Sequence, residues 1–317
     1  MSEKELDKKG MKKSDDEMLS RRRLIFRRFF RNKSAVFGLG TLFFITALAI
    51  IGPYLTPWTW DLSKENGLDF NAFVNSPYGG GLTAPSFDDG HYFGTSQVGG
   101  DVFAQTIRGL QKSLLIGLLV AVFSTGIAAI VGATAGYLMG RTDRSLMWLV
   151  DLLLVLPSFL ILAILSRWYQ SSGWLLLVFL LAAFNWMITA RIVRSVSMSL
   201  RERDFIRAAR YMGVPTRKII SKHLIPNMAS LLIIDGTLNV GGAILSETGL
   251  SYLGFGVRAP DVSLGSLIAE GTASALTYPW LFMFSGGLLI LTVLAISLIG
   301  DGLRDAFDPG SRSGRKS

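Results

Sequence analysis

Apolar residues in this chain are grouped in blocks of about twenty, the length at which a helix crosses the roughly 30 Å hydrocarbon core of a bilayer. The blocks lack the amphipathic stripe, with apolar residues at every third or fourth position, that is typical of a soluble helix. The pattern therefore predicts six transmembrane segments: residues 35–55, 113–139, 146–165, 174–193, 228–247 and 280–300.

All six segments are predicted to be helices. In lipid each backbone N–H must find its acceptor within its own segment, and a transmembrane barrel would need short alternating strands that this sequence lacks. The expected fold class is therefore an all-α polytopic membrane protein. Half of the residues are apolar and 17% are charged, which agrees with a bilayer as the solvent for most of the chain.

The basic residues predict how the segments are oriented. A net charge of +9 would suit nucleic acid, but nearly all Lys and Arg lie in the segments that would be cytoplasmic if both termini are inside. We therefore expect cytoplasmic termini and no nucleic-acid partner. The chain is divided into a basic cytoplasmic tail (1–34), a first membrane helix (35–55), an external loop (56–112), a core of five membrane helices (113–300) with a cytoplasmic loop (194–227), and a second cytoplasmic tail (301–317).

Arginines alternate with aromatic and aliphatic residues just before the first membrane segment. Residues 21–31 carry Leu24, Phe26 and Phe30 among their arginines. This arrangement predicts a basic amphipathic helix that lies on anionic lipid headgroups. A simple positive-inside flank of the first helix is the alternative.

Two features of the second and third segments predict helix geometry. Small residues recur every fourth position in the second segment, and they indicate a face where another helix backbone approaches closely. In the third segment, Pro157 should kink the helix because its ring nitrogen has no hydrogen to donate. The small residues are Ala128, Gly132, Gly136 and Gly140.

The fifth segment is the least apolar. Asp235, Asn239, Gly242 and Ser246 recur at steps of three and four, so they share one face that lipid would not tolerate. The face is expected either to line a watery pathway or to form a hydrogen-bonded seam between helices, and the pattern favours neither. In the third segment, Asp151 lies near the cytoplasmic end, where an interfacial carboxylate is the favoured interpretation.

The longest cytoplasmic loop, 194–227, is predicted to contain two helices joined by a sharp break. Ala208 and Ala209 favour helix and allow close approach, Gly213 offers the positive φ of a helix C-cap, and Pro215 suits the start of a second helix. Such an elbow is a compact protrusion, which a passive channel has little reason to possess.

This elbow resembles the EAA loop of ABC importer permeases. The pattern is a pair of alanines, a glycine four residues after the second, and a proline thirteen residues after the glycine. In that family the loop forms a coupling helix that docks into a cleft of the ATPase subunit, and the resemblance implies the same role here. The implied coupling residues are Ala208, Ala209, Gly213 and Pro226, with Arg207 in the place of the usual glutamate.

Further stretches are similar to the C-type permease of the dipeptide, oligopeptide and nickel group: residues 21–55, 91–101, 241–256 and 300–309. The resemblance implies the type I ABC importer permease fold in a bacterial cytoplasmic membrane. It also implies a second permease subunit as heterodimer partner, two ATP-binding subunits and an extracytoplasmic substrate-binding protein. The implied cargo is a dipeptide or oligopeptide, with nickel or another small solute as the alternative.

The sequence predicts that this chain is not itself an enzyme. It has no Gly-x-x-x-x-Gly-Lys-Ser/Thr phosphate loop, so ATP and Mg²⁺ are expected on the partner ATPase, and no cofactor is expected here. His91 and His223 fall on opposite sides of the predicted membrane, which leaves no metal site and no Ser-His-Asp set. A proton-coupled secondary transporter that uses Asp235 is the second functional hypothesis.

Overall fold

The computed structural model describes residues 23–62, 67–77, 79–169 and 173–307. The predicted tails before residue 23 and after residue 307 lie outside the described residues. Residues 23–31 form helix α1. The other helices are α2 (Lys33–Ile51), α3 (Phe70–Val74), α4 (Val102–Leu138), α5 (Gly140–Val155), α6 (Ser158–Tyr169), α7 (Trp174–Asn185), α8 (Met187–Arg201), α9 (Asp204–Tyr211), α10 (Thr216–Ile219), α11 (Ile225–Asn227), α12 (Ala229–Tyr252), α13 (Leu264–Thr272) and α14 (Trp280–Phe307).

The described part of the chain is built from helices, as predicted, and four of them are long and apolar enough to cross a membrane: α2, α4, α12 and α14. Two further pairs meet these criteria only when both members are taken together. The axes of α5 and α6 differ by 74°, and those of α7 and α8 by 45°. By length and composition, the described residues thus hold four candidate membrane spans, or up to six if each bent pair is one span.

Each bend has a local cause. The α5–α6 break falls at Leu156 and Pro157, so the kink predicted at this proline is confirmed. The α7–α8 break was not predicted and lies at Trp186. The Trp186 indole N–H donates to the Ala183 carbonyl oxygen at 2.9 Å. In a continuous helix that oxygen would accept the backbone N–H of Met187.

Several helices extend beyond the apolar blocks that predicted them. The fourth helix begins at Val102 instead of residue 113, because the Asp101 side chain accepts the Ala104 N–H at 2.7 Å and caps it there. The last helix continues to Phe307, past the predicted end at residue 300. Hydropathy marks the part of a helix that suits lipid, whereas caps decide where the helix begins.

Helices α4 and α8 approach closely along the predicted ladder of small residues. A Cβ placed on Gly132 would lie 2.5 Å from the Ala190 carbonyl oxygen, and one on Gly136 would lie equally close to the Arg194 carbonyl oxygen. Ser197 also donates to the Ala133 carbonyl oxygen at 3.1 Å. The predicted close packing is therefore confirmed at these two glycines.

The last member of the ladder has a different position. Gly140 lies beyond the end of α4, has a φ of +59°, and would have no neighbour within 4 Å of an added Cβ. The chain turns there into α5, and Met139 just before it also has a positive φ of 56°. Spacing alone predicted a packing role for Gly140, and that prediction is wrong because the helix ends at Leu138.

The segment between α2 and α4 is organised around His91, to which the sequence assigned no role. The His91 Nδ1 atom lies 2.8 Å from an Asp101 oxygen, and its Nε2 atom lies 2.9 Å from an Asp69 oxygen. Trp58 stacks on the ring at 4.7 Å between centroids. Because Asp69 caps α3 and Asp101 caps α4, one buried imidazole fixes the starts of two helices.

The protonation of this cluster follows from its geometry. Burial by itself lowers the pKa of His91, but hydrogen bonds and charges from Asp101 and Asp69 outweigh it, so the pKa is raised above its ordinary value. Burial likewise acts to raise the pKa of Asp69, yet the bonds from His91 and two backbone N–H groups lower it overall. An imidazolium between two carboxylates is the form that the fold favours.

Replacing Gly132 with alanine should loosen the α4–α8 contact, because the new Cβ would meet the Ala190 carbonyl oxygen at 2.5 Å. We expect a loss of about 1–3 kcal/mol in unfolding free energy, measured by denaturant unfolding in detergent. Gly126→Ala in the same helix is the matched control, since nothing lies within 4 Å of its added Cβ. Equal effects of the two substitutions would contradict the close approach.

Replacing His91 with glutamine should lower the melting temperature in a pH-dependent way. Since the pKa of His91 is raised on folding, its contribution to stability is complete below about pH 6.5 and is lost as the pH rises through the folded value. The melting-temperature gap between wild type and variant should therefore shrink from about pH 6 to about pH 9. His223→Gln, the other histidine of the chain, is the control. A gap that is constant with pH would rule out the imidazolium.

Candidate functional site

The elbow in the loop 194–227 consists of α9, a tight turn and α10, as the sequence predicted. Gly213 has a φ of +72° and donates its N–H to the Arg210 carbonyl oxygen at 3.0 Å. The next N–H, of Val214, reaches the Ala209 carbonyl oxygen at 3.1 Å. This pair of bonds is a Schellman motif, which ends α9 and requires a left-handed residue after the cap. Pro215 caps the following helix.

One side of the elbow is buried against the helix bundle. Ile206 and Ala209 of α9 pack in one cluster with Tyr137 of α4 and Val193 of α8. Residues of α10 and of the chain between α10 and α12 complete that cluster: Ile219, Leu224 and Met228. The elbow is therefore fixed to α4 and α8 through an apolar core.

The two alanines of the resemblance have different environments. Ala209 is buried at 3% exposure, where a larger side chain would not fit the cluster with Ile206 and Val193. Ala208, next to it, is exposed, and so is Arg207. The close approach that the sequence predicted for both alanines therefore applies within this chain to Ala209 alone.

Pro226 lies at the start of α11, after one turn of π-helix at Ile220–Leu224. A proline has no N–H to donate to the residue four positions before it, and its ring crowds that carbonyl. The π-helical turn accommodates the proline ring, because the Ile225 N–H bonds to the Ile220 carbonyl oxygen five residues back and the turn is therefore wider than an α-helical turn. The proline thus sets the direction in which the chain leaves the elbow for α12.

The opposite side of the elbow exposes large apolar side chains. Tyr211 is 83% exposed, Met212 is 75% exposed and Phe205 is 44% exposed. Arg207 is exposed beside them. Aromatic residues, methionine and arginine are the types enriched in protein interfaces, and clustered exposed apolar groups mark interaction sites. The sequence analysis did not single out these three apolar residues, of which Phe205 and Tyr211 lie on α9 and Met212 is its C-cap.

The polar face of α12 divides into two parts. Near its start, Thr189 of α8 donates to Asp235 at 2.7 Å, and Asn239 donates to Ser124 of α4 at 2.9 Å. Both polar side chains therefore join α12 to its neighbours, which is the seam that the sequence offered as one interpretation. Asp235 and Asn239 are half-buried.

Further along α12 the face is open. Ser246 donates only to the Gly242 carbonyl oxygen of its own helix, at 2.9 Å, and both residues are exposed. Leu245 is 50% exposed on the same side. The four predicted positions therefore do not form one site within this chain: two bond to neighbouring helices and two face outward.

Ion pairs join α5 to α8 near the same end of the bundle as the elbow. Asp151 pairs with Arg191, which supports a structural role for this acid. Asp143 receives two hydrogen bonds from the Arg194 guanidinium, the second at 2.6 Å. Paired charges of this kind orient α5 on α8, and the Asp151 side chain stays largely exposed beside its partner.

Glu247 is a fully buried acid on α12 that the sequence analysis did not single out. One of its oxygens accepts from Ser251 at 2.6 Å and from Ser263 at 2.7 Å. Ser263 in turn caps α13 through a capping box with Ser266. The carboxyl group therefore links the end of α12 to the start of α13. Ser251, four residues after Glu247, was the sequence feature that could have indicated a hydrogen-bonded acid here.

Known proteins match this chain along nearly its whole length. Residues 126–313 match the family described as binding-protein-dependent transport system inner membrane component, and residues 20–77 match the N-terminal TM domain of oligopeptide transport permease C. The oligopeptide transport system permease protein OppC of Mycobacterium tuberculosis is 54% identical over 301 residues, which cover 95% of this chain and 98% of that protein.

A more distant relative gives the same result. OppC of Haemophilus influenzae is 38% identical over 286 residues, which cover 90% of this chain and 88% of that protein. The resemblance inferred from the elbow and from the stretches around it is thereby confirmed. The chain belongs to the family of binding-protein-dependent transport system inner membrane components, as a permease of the OppC type.

Proposed function

We propose that this chain is one of two permease subunits of an ATP-driven importer in a bacterial cytoplasmic membrane, and that its cargo is an oligopeptide. Its relatives of known name are oligopeptide transport permeases, and this supports the cargo over nickel or another small solute. A second permease would complete the pathway as a heterodimer. Two ATP-binding subunits would bind ATP and Mg²⁺, and an extracytoplasmic protein would deliver the peptide.

The elbow is the observation that carries this proposal. Its buried side is anchored to α4 and α8 by Ile206 and Ala209, while its outer side presents Phe205, Tyr211 and Met212. A rigid protrusion with an apolar outer surface is suited to docking on another subunit. Closure of the ATPases would push this surface, and α8 would receive the displacement first because it leads directly into α9.

The open face of α12 supports a pathway between two permeases. Gly242 and Gly249 have nothing within 4 Å of an added Cβ, and Ser246 lies between them on the helix. A face of small and polar residues is disfavoured against lipid but suits a partner helix or water. The proton-coupled alternative is weakened because Asp235 is held by Thr189 at 2.7 Å.

Helix α1 supports a contact with the membrane surface. Phe29 is buried against Ile299 and Ala306 of α14, so the helix is held at the end of the bundle. Phe26 and Phe30 face outward and contact each other at 4.6 Å between ring centroids. We propose that these rings enter the headgroup region while the neighbouring arginines contact lipid phosphates.

Six spans with cytoplasmic termini follow if each bent pair crosses the membrane once. The chain has no cysteine, so single-cysteine variants can be labelled without background. Asp88→Cys and Gly173→Cys should react with a membrane-impermeant maleimide in intact cells. Ser145→Cys and Ser221→Cys, exposed at the opposite end, should react only after permeabilisation. Gly173 is exposed between α6 and α7. If Gly173→Cys reacts only after permeabilisation, the bent pairs do not span the membrane and the six-span arrangement is wrong.

The double variant Tyr211→Ser, Met212→Ser should weaken association with the ATPase subunits. Both side chains are largely exposed, so the melting temperature of the permease should not change. Loss of two docking side chains should reduce ATPase binding on the order of tenfold or more, and peptide uptake should fall with it. Co-purification and uptake in proteoliposomes measure the two effects.

Phe87→Ser provides the matched control for this variant, because Phe87 is 85% exposed on the segment at the other end of the bundle. It removes a comparable exposed ring without touching the elbow. Unchanged ATPase binding in the double variant would refute the docking role, and ATP-independent uptake by the permease alone would refute the importer.

A further inference from the structure

A cavity of about 1030 Å³ opens between α13, the chain segment that leads into it, and the segment before α3. Apolar walls come from Tyr252, Val257 and Pro260. A second cavity of about 280 Å³ adjoins it, and Leu62, Gln105 and Glu270 line both. Both lie at the end of the bundle that holds His91, which the proposed topology places outside the cytoplasm.

Most charged groups of this wall are already paired. Asp261 lies 3.0 Å from the Lys112 ammonium and 3.5 Å from the Arg108 guanidinium, so its charge is balanced. Arg108 also stacks over the Trp60 ring at 4.4 Å. Arg258, on the rim, donates to the Gly254 carbonyl oxygen at 2.6 Å. These residues pair with one another or with the backbone, so they have little capacity to bind an added cation.

Glu270 differs from these groups. It lies on α13 where the two cavities meet, and it makes no hydrogen bond or ion pair with the described residues. The Glu270 side chain is exposed where the cavities meet, although nearby atoms remove part of its water and burial thereby raises the pKa of its carboxyl group. An exposed carboxylate without a partner is open to a charge-assisted hydrogen bond from a cationic ligand.

We propose that Glu270 binds the terminal ammonium group of the incoming peptide, and that the cavity beside it receives the first residues of the cargo. The site is concave and of the size that small ligands occupy, with apolar walls for side chains and one charged group for orientation. This inference rests on the proposed peptide transport, and it identifies the terminal ammonium group as the part of the cargo that is recognised.

The test compares trialanine with N-acetyl-trialanine, which lacks the cationic terminus. Binding of each radiolabelled peptide is measured by equilibrium dialysis against the importer complex in nanodiscs without the binding protein. The wild type should bind trialanine about tenfold more tightly than the acetylated peptide. Glu270→Gln should remove this preference, whereas Glu270→Asp should retain part of it.

Asp89→Asn is the matched control, since it removes an exposed carboxylate from the same end of the bundle and lies outside the lining of both cavities. It should leave the preference unchanged. If wild type does not distinguish the two peptides, the inference is wrong whatever the variants do. If Glu270→Gln instead releases the second permease from the complex, the carboxylate belongs to a protein interface and the inference is also wrong.

ATP-driven uptake of trialanine by the complete wild-type importer is measured in parallel. Uptake without any ammonium preference in binding would overturn the role of Glu270 and leave the transport function intact. Absence of ATP-driven uptake of any peptide would overturn the transport function itself. The two failures therefore have separate readouts.

Discussion

The close approach of α4 and α8 at Gly132 and Gly136 is the constraint on which the elbow-bearing half of the molecule depends. Val193 of α8 faces Gly132 and also belongs to the cluster that anchors α9 through Ile206. The separation of the two helices therefore sets the position of the elbow. In lipid there is little hydrophobic drive between helices, so such packing depends on small residues that let backbones meet.

The other half of the molecule is attached to the far end of the same helix. At 37 residues, α4 is about 55 Å long at 1.5 Å per residue, well beyond the hydrocarbon thickness. Asp101 caps its start, and the His91 Nδ1 atom lies 2.8 Å from an Asp101 oxygen. Tyr137, in its last turn, packs in the cluster that anchors the elbow. One continuous helix thus connects the His91 cluster with the elbow. Under the proposed coupling, a displacement of the elbow would either slide α8 along α4 or tilt α4 as a whole.

Sequence reasoning recovered the helical fold, the proline bend and the elbow, because each depends on local chemistry: block length, a missing N–H and a positive φ at Gly213. It placed the start of α4 at residue 113 instead of Val102, because hydropathy does not mark the helical residues between the Asp101 cap and the apolar block. It left Asp235 undecided between seam and pathway, because periodicity identifies a face of a helix but not the helix that lies opposite. Thr189, its partner, is 46 positions away.

Two acids close together in the fold show why residue type alone does not identify a binding group. Glu247 is fully buried, and serines from α12 and from the cap of α13 both bond to one of its oxygens, so its role is to join the two helices. Glu270 lies on α13 itself and has no such partners among the described residues. Because Glu247 holds the start of α13 in place, it also fixes the position from which Glu270 faces the cavities. Glu247 thereby orients Glu270, the acid that we propose binds a ligand.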